Sequence, residues 1–331
     1  MFYGESPDRA VAGERIMIMY NFVVNKLSGK NRGENNLNII TSYCNSRGIN
    51  YSVYETNARG HAMKLTEMLC DSGADNVIAI GGDGTFHEVV NGVKDFEKIK
   101  IGFIPSGRGN DFARAAALPI KPIEAFEDIL SGQTKRIDYI DVGKRRCLNI
   151  GGTGMDVDVL KAVANKRNAF TYYTSLLRCL LKFEPYHVVI RAKTTEGEIE
   201  LVKDCIMVGI CNGTDFGGGM HIAPGARTDD GVLDLMIAEK LNRGPFGILS
   251  KFTKGKHDKL PEITHYNVTE LDVDGGGCPI ELDGEIYENI PLRCKVVHNG
   301  LITFKTKAER LAEGAQSESG ETAAETDADE K

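Results

Sequence analysis

The sequence predicts an α/β protein in two parts: a doubly wound parallel-sheet domain over 1–138 and an antiparallel β-sandwich over 139–306, with 307–331 a C-terminal segment ending in a disordered acidic tail. Three observations carry this reading. Strand and helix patterns alternate through the first part, which argues for parallel strands with helices on both faces. The strands there are short continuous apolar runs such as Val77-Ile78-Ala79-Ile80, the composition of a strand buried on both faces. Beyond residue 138 helical periods thin out, and strand-like runs between turn residues take over.

Residues 15–20 read as the first strand, leading into the polar turn Asn25-Lys26-Leu27-Ser28-Gly29-Lys30. Residues 37–47 are helical, 51–56 form a second strand, and 61–69 a second helix ended near Gly73. After the third strand at 77–80, Phe86, Val89, Val90 and Val93 fall at i, i+3, i+4 and i+7, a helical period. Thr85 is the expected N-cap of that helix, and Glu88 closes a capping box. Residues 101–105 make a fourth strand, followed by a second glycine turn, Ser106-Gly107-Arg108-Gly109-Asn110-Asp111, and a helix from Phe112. In the second part the expected strands are 147–150, 186–192, 206–211, 232–238, 266–273, 280–282, 292–297 and 301–304, with one helical segment at 168–183.

Charge and cysteine usage narrow the class. The net charge is −7, but residues 313–331 hold seven acids against one lysine, net −6, so the remaining chain stands at −1 and gives no reason to expect nucleic acid. Eight cysteines without a CxxC pair are expected as reduced thiols. The opening MFYGESPDRA lacks the basic-then-apolar pattern of a signal peptide, and no apolar run approaches membrane-spanning length. A cytoplasmic location is expected.

The stretch Gly81-Gly82-Asp83-Gly84-Thr85 carries the chemistry. Glycines between a strand and a helix let the main chain approach a ligand, and the helix N-terminus offers free N–H groups and a positive dipole end, which suits phosphate. Neither GxGxxG nor GxxxxGK[ST] is present. A glycine turn with no ligand is the plain alternative. Asp83 would repel bare phosphate, but fits if Mg²⁺ lies between. Asp111 reads either as a second carboxylate for that ion or, with Asn110, as a helix cap. Asp283-Gly284 between strand-like runs reads as a type I′ hairpin turn, and Asp230 as a turn before a strand. The segment 168–183, with Phe170, Tyr173, Leu177 and Leu180 at helical spacing, is a core helix or a face for a membrane or an acyl chain.

GGDGT followed by Phe-His-Glu-Val-Val-Asn-Gly, PSGRGNDFAR at 105–114, APGARTDDGVLDL at 223–235 and Leu-Asp-Gly-Glu at 282–285 together resemble the diacylglycerol kinase catalytic-domain family, which includes bacterial soluble lipid kinases and the sphingosine and ceramide kinases. GGDGT alone is shared with NAD kinases and phosphofructokinases; the NDFAR and DGE elements make the set specific.

The resemblance implies a nucleotide-binding domain, a β-rich lipid-substrate domain and a cleft between them. It implies ATP phosphates against Gly82, Asp83, Gly84 and Thr85, with Glu88 nearby, and a first nucleotide loop at Asn25, Lys26, Ser28 and Gly29. Lys26 stands where the family usually has proline. Thr56 matches a threonine that touches nucleotide. Arg108, beside Asn110, replaces the family's threonine and is expected to meet phosphate as a charged fork. Glu285 is the implied base, Asp283 its helper, and Asp83 and Asp111 the implied holders of Mg²⁺. A structural Mg²⁺ is implied at Asp230 with main-chain carbonyls of Arg227 and Val232. The expected activity is transfer of the γ-phosphate of ATP to a lipid hydroxyl at the membrane surface, with diacylglycerol the leading acceptor. A sphingoid or other lipid, an NAD kinase, and a nucleotide-binding regulator without catalysis stay open, as does assembly as a homodimer.

Overall fold

The structure, a computed structural model, describes residues 18–163, 169–240 and 245–315. The expected acidic tail from residue 316 onward, residues 15–17 of the expected first strand, and residue 168 of the expected helical segment lie outside the described residues.

The first part runs Tyr20–Val24 (β1), Ser28–Arg47 (α1), Tyr51–Glu55 (β2), His61–Asp71 (α2), Asn76–Gly81 (β3), Asp83–Gly92 (α3), Lys100–Pro105 (β4), Asp111–Ala115 (α4) and Pro122–Leu130 (α5). The four strands pair in parallel in the order β2-β1-β3-β4. Strands β1 and β3 are buried along their whole length. Their alternate residues enter two different cores. Phe22, Val24, Ile78 and Ile80 pack with Leu37 and Ile40 of α1 and with Phe126 and Ile129 of α5. Val23, Val77 and Ala79 pack with Leu69 of α2 and with Phe86 and Val89 of α3. The strand period of two thus sends one set of side chains to each face, and helices cover both.

Three expectations shift here. The first strand lies at 20–24, because the fully buried residues are Phe22, Val23 and Val24, whereas Ile18 and Met19 are exposed. Helix α5 was not expected; it starts with Pro122 in its first turn, where the missing N–H costs nothing. The capping box does not form. Gly82 is extended and lets α3 begin at Asp83, so Thr85 lies inside the helix. Glu88 instead accepts from Gly60 N at 2.7 Å and Ala62 N at 3.0 Å, capping α2.

The second part holds Thr134–Asp141 (β5), Arg146–Cys147 (β6), Ile150–Gly154 (β7), Met155–Val163 (α6), Ala169–Lys182 (α7), Tyr186–Thr194 (β8), Gly197–Cys211 (β9), Asp215–Phe216 (β10), Met220–His221 (β11), Leu233–Glu239 (β12), Pro245–Phe252 (α8), Ile263–Asp274 (β13), Ile280–Leu282 (β14), Glu285–Tyr287 (β15) and Leu292–Phe304 (β16). Among the described residues the strands of this part pair antiparallel with one another. The long strands β9 and β13 pass from one layer of the sandwich to the other: each pairs with β8 over one half and with β12 over the other. Strand β16 is one element with a register shift between Val297 and Leu301, where two strands were expected. It pairs in parallel with β4, so the last strand joins the sandwich to the first sheet.

The expected strand at 147–150 breaks into β6 and β7 for a specific reason. Asp283, at the β14–β15 turn, draws the backbone away from the ladder: its carboxylate accepts from Leu148 N at 3.0 Å and Asn149 N at 2.8 Å, and from the Cys147 thiol at 3.1 Å. It also accepts from His87 Nδ1 at 2.8 Å, so one carboxylate ties the hairpin to α3 and to the β6–β7 link. Burial alone would raise this carboxyl, but the His87 ring and the two N–H groups hold it below the ordinary value. The turn is type I′ as expected, with φ of 52° at Asp283 and 83° at Gly284.

Asp283→Asn removes a buried charge with four donors, and should destabilise the fold by about 2–4 kcal/mol at pH 7. Because the folded pKa lies below the unfolded value of about 3.9, this stabilisation is present above about pH 4 and is lost as pH falls through the folded value. Urea unfolding of the two proteins should show a gap at pH 7 that narrows in acid; a pH-independent gap would refute the linkage.

Candidate active site

Three turns meet beyond the C-terminal ends of β1, β3 and β4, where an open parallel sheet offers its ligand crevice. Ser106 N donates to Gly81 O at 2.6 Å, and Asn25 N to Ile80 O at 3.0 Å. The glycines at the contact are there for space. A Cβ on Gly107 would stand 2.6 Å from Gly82 Cα, and a Cβ on Gly29 would stand 2.1 Å from Ser106 O. Arg32 donates to Gly29 O and Gly107 O, spanning the first and third turns. Asn25 Nδ2 donates to Thr85 Oγ1 at 3.3 Å, so Thr85 holds the first turn against α3.

Asp83 and Asp111 converge across Gly109: a Cβ built there would lie 2.9 Å from Asp83 Oδ2 and 3.4 Å from Asp111 Oδ2. Asp83 accepts from Asn110 N at 2.7 Å and Phe112 N at 3.4 Å, which pins the third turn over α3. Burial, and then the neighbouring Asp111, push the Asp83 carboxyl up to about 6. Two carboxylates this close, both only partly exposed, favour a cation between them, and oxygen ligands of this kind suit Mg²⁺. The residues present therefore fit that ion. Asp111 does not serve as a helix cap; it accepts from Gly218 N at 3.0 Å in the β10–β11 turn and pairs with Arg114 at 2.9 Å.

Glu285 reaches the same place from the other part of the chain. Its Oε1 is 3.1 Å from where a Cβ on Gly84 would stand, over the first turn of α3. Its Oε2 pairs with Arg59 Nη2. Behind it, His87 Nε2 accepts from the Tyr287 hydroxyl at 2.8 Å, and burial pushes that phenol up to about 12, so it stays a donor. With Nδ1–H given to Asp283, this fixes the tautomer.

The remaining expected residues divide. Ser28 lies on the first turn, and Lys26 pairs with Glu55 at 2.6 Å. Thr56 N donates to Val24 O at 2.8 Å, beside Asn25. Arg108 is exposed on the third turn. Glu88 braces α2. Arg227, Asp230 and Val232 belong to a different loop, organised by the fully buried Asp138, which accepts from Gly231 N at 2.7 Å and His298 Nδ1 at 2.9 Å. There Asp230 accepts from Val232 N at 3.1 Å. Among the described residues no group of three or more His, Cys, Asp and Glu could hold a metal. His87, Tyr287, Arg59 and Asp138 were not singled out by sequence reasoning. No spacing marks them, because their partners lie 200, 226 and 160 residues away.

A small apolar cavity lies between α6, α7 and the sandwich, lined by Met155, Leu176, Leu180, Phe216, Ile222 and Phe252, with Asp156 among them. Ile286, next to Glu285, packs on the hydrophobic cluster to which the cavity's lining residues Met155, Phe216 and Ile222 also belong.

Comparison with known proteins agrees with this arrangement. Residues 19–142 match the model of the diacylglycerol kinase catalytic domain, and residues 150–304 match that of the YegS C-terminal NAD kinase beta sandwich-like domain. A diacylglycerol kinase of Staphylococcus epidermidis is 30% identical over 253 residues, 74% of this chain and 78% of the relative. One of Bacillus subtilis is 29% identical over 301 residues, 87% of this chain and 97% of the relative. The solved structure of a diacylglycerol kinase from Bacillus anthracis shares the fold with a TM-score of 0.67 at 21% identity, covering 88% of this chain and 98% of that one. Motifs, fold and relatives together make this chain a member of the diacylglycerol kinase catalytic-domain family.

Proposed function

We propose that this protein transfers the γ-phosphoryl group of ATP to the hydroxyl of a membrane lipid, with diacylglycerol as acceptor and phosphatidic acid as product. One observation carries the reading: Glu285, from the sandwich, stands over the N-terminus of α3 beside the glycine turns. The relatives' names point to the acceptor, and the apolar lining of the cavity between α6, α7 and the sandwich is compatible with an acyl chain. No described helix is long and apolar enough to cross a membrane, so the lipid is met at the membrane surface.

In this mechanism the main-chain N–H groups of α3's first turn, together with Gly82 and Gly84, cradle the phosphate chain. Asn25, Ser28, Gly29 and Asn110 shape the cradle, Thr56 borders it, Arg108 adds positive charge, and Lys26 sits on the first turn paired with Glu55. Asp83 and Asp111 would hold Mg²⁺, which when bound supplies charge neutralisation of the phosphates. A second divalent ion would be held by Asp230 with carbonyls of Arg227 and Val232. Glu285 accepts the proton of the acceptor hydroxyl, and Asp283 fixes the hairpin that carries it.

Incubating the protein with Mg-ATP and micelles of diacylglycerol, a sphingoid base, or free NAD should put phosphate on diacylglycerol. Phosphate on NAD alone, or on no acceptor at all, would overturn the proposal. Glu285→Gln should lower kcat by about 10²–10⁴-fold while ATP affinity stays near wild type; undiminished turnover would refute the base. Gly107→Ala should push the two glycine turns apart at a cost of about 1–3 kcal/mol, raising the ATP Kd about 5- to 100-fold. Unchanged ATP binding in that variant would count against the cradle.

A further inference from the structure

We propose that Arg59 is a catalytic residue: it holds Glu285 until nucleotide arrives, then passes to the transferring phosphoryl group and so releases the base. This rests on the kinase reading above.

The placement of Arg59 argues for it. The residue lies on the segment between β2 and α2, opposite the hairpin, and its side chain pairs with Glu285 across the cleft. Its backbone is fixed to the helix that carries Asp83, because Glu88, one turn further along α3, accepts from Gly60 N at 2.7 Å and Ala62 N at 3.0 Å. Asn57 N donates to His61 Nδ1 at 3.1 Å on the same segment. The guanidinium is open to solvent on a fixed mount: the Arg59 side chain is 73% exposed, that of Glu285 only 16%. Glu285 offers Oε1 toward Gly84 and Oε2 to Arg59, so the guanidinium lies one carboxylate's width from the first turn of α3.

Chemistry gives the direction of the exchange. A carboxylate paired with a guanidinium has its charge compensated and is a poor proton acceptor. The terminal phosphate of ATP carries more charge than one carboxylate and takes a guanidinium through two parallel hydrogen bonds. An exposed ion pair is weak enough to be given up for it. Three neighbouring cations are held by the protein, Lys26 by Glu55 at 2.6 Å, Arg114 by Asp111 at 2.9 Å, and Arg32 by Gly29 O and Gly107 O, while Arg108 lies on the third turn. In the reaction the acceptor oxygen bonds to the γ-phosphorus as the bond from that phosphorus to the β,γ-bridging oxygen breaks. The bond's electron pair leaves with ADP, and the hydroxyl proton goes to Glu285. Arg59 meets the charge spread over the equatorial oxygens, the part an arginine finger plays in other phosphoryl transfers.

The test compares the full-length wild type with Arg59→Ala and Arg59→Lys. Calorimetry measures ADP with and without aluminium fluoride, a mimic of the transferring group, in the presence of Mg²⁺, and turnover is followed with diacylglycerol micelles. For Arg59→Ala we expect ADP affinity within about threefold of wild type, the gain from fluoride reduced about 30-fold or more, and kcat lower by about 10²–10³-fold at near-constant KM for ATP. Arg59→Lys should recover only part of this, as a point charge without the fork. A wild-type fluoride gain and wild-type kcat in Arg59→Ala would overturn the assignment and leave the kinase reading standing, and so would a loss confined to KM. A wild type that gains affinity from fluoride but phosphorylates no lipid would sink the acceptor assignment, while the fluoride comparison still decides Arg59. A wild type that binds no nucleotide would sink both.

Discussion

The buried carboxylate of Asp283 is the interaction on which the arrangement of this protein depends. Its oxygens take donors from two places that are remote in the chain: the His87 ring on α3, and the β6–β7 link, which gives the Cys147 thiol and the main-chain N–H groups of Leu148 and Asn149. A charge taken out of water is tolerated only when such donors surround it, and removing any of them leaves a cost that the rest of the fold would have to carry. The hairpin β14–β15 thus cannot slide along α3 without exposing an unpaired carboxylate. That constraint sets Glu285 over the first turn of α3.

Two buried aspartates in this site show opposite behaviour for physical reasons. At Asp283 the surrounding donors outweigh burial, and the carboxyl is held below its ordinary value. At Asp83 burial and the nearby Asp111 outweigh the two N–H groups it accepts from, and the carboxyl rises to about 6. The first is finished as a structural junction. The second is held toward its neutral form by burial and by the charge beside it. The same logic separates the aspartate at the 228–232 loop, where Asp138 is fully buried and satisfied by Gly231 N, His298 and Asn299 N.

Much of the fold was legible in the sequence. The runs at β3 and β4 read as strands, and their two faces pack against different helical layers, whereas the first strand lies further along the chain than expected. The change of pattern after residue 138 read as a sandwich because turn residues punctuate the strands there. What sequence missed has causes that can be named. Helices α6 and α8 are short and lie between strands, where a periodic pattern has little length in which to show. The break between β6 and β7 is imposed by a side chain 134 residues away. The misread capping box had the right residue types, but Gly82 let the helix start earlier and Glu88 found better donors in α2.

By itself the sequence determined the glycine turns, the carboxylates among them and the Asp283-Gly284 turn, because these depend on backbone freedom and local spacing, which are short-range properties. Only the tertiary structure decided that Gly82 and Gly107 stand back to back, that Asp83 faces Asp111, and that Glu285 and Arg59 meet above α3. Those contacts join segments separated by up to 226 residues. They follow from the parallel register of the sheet and from one buried charge, neither of which leaves a period in the chain.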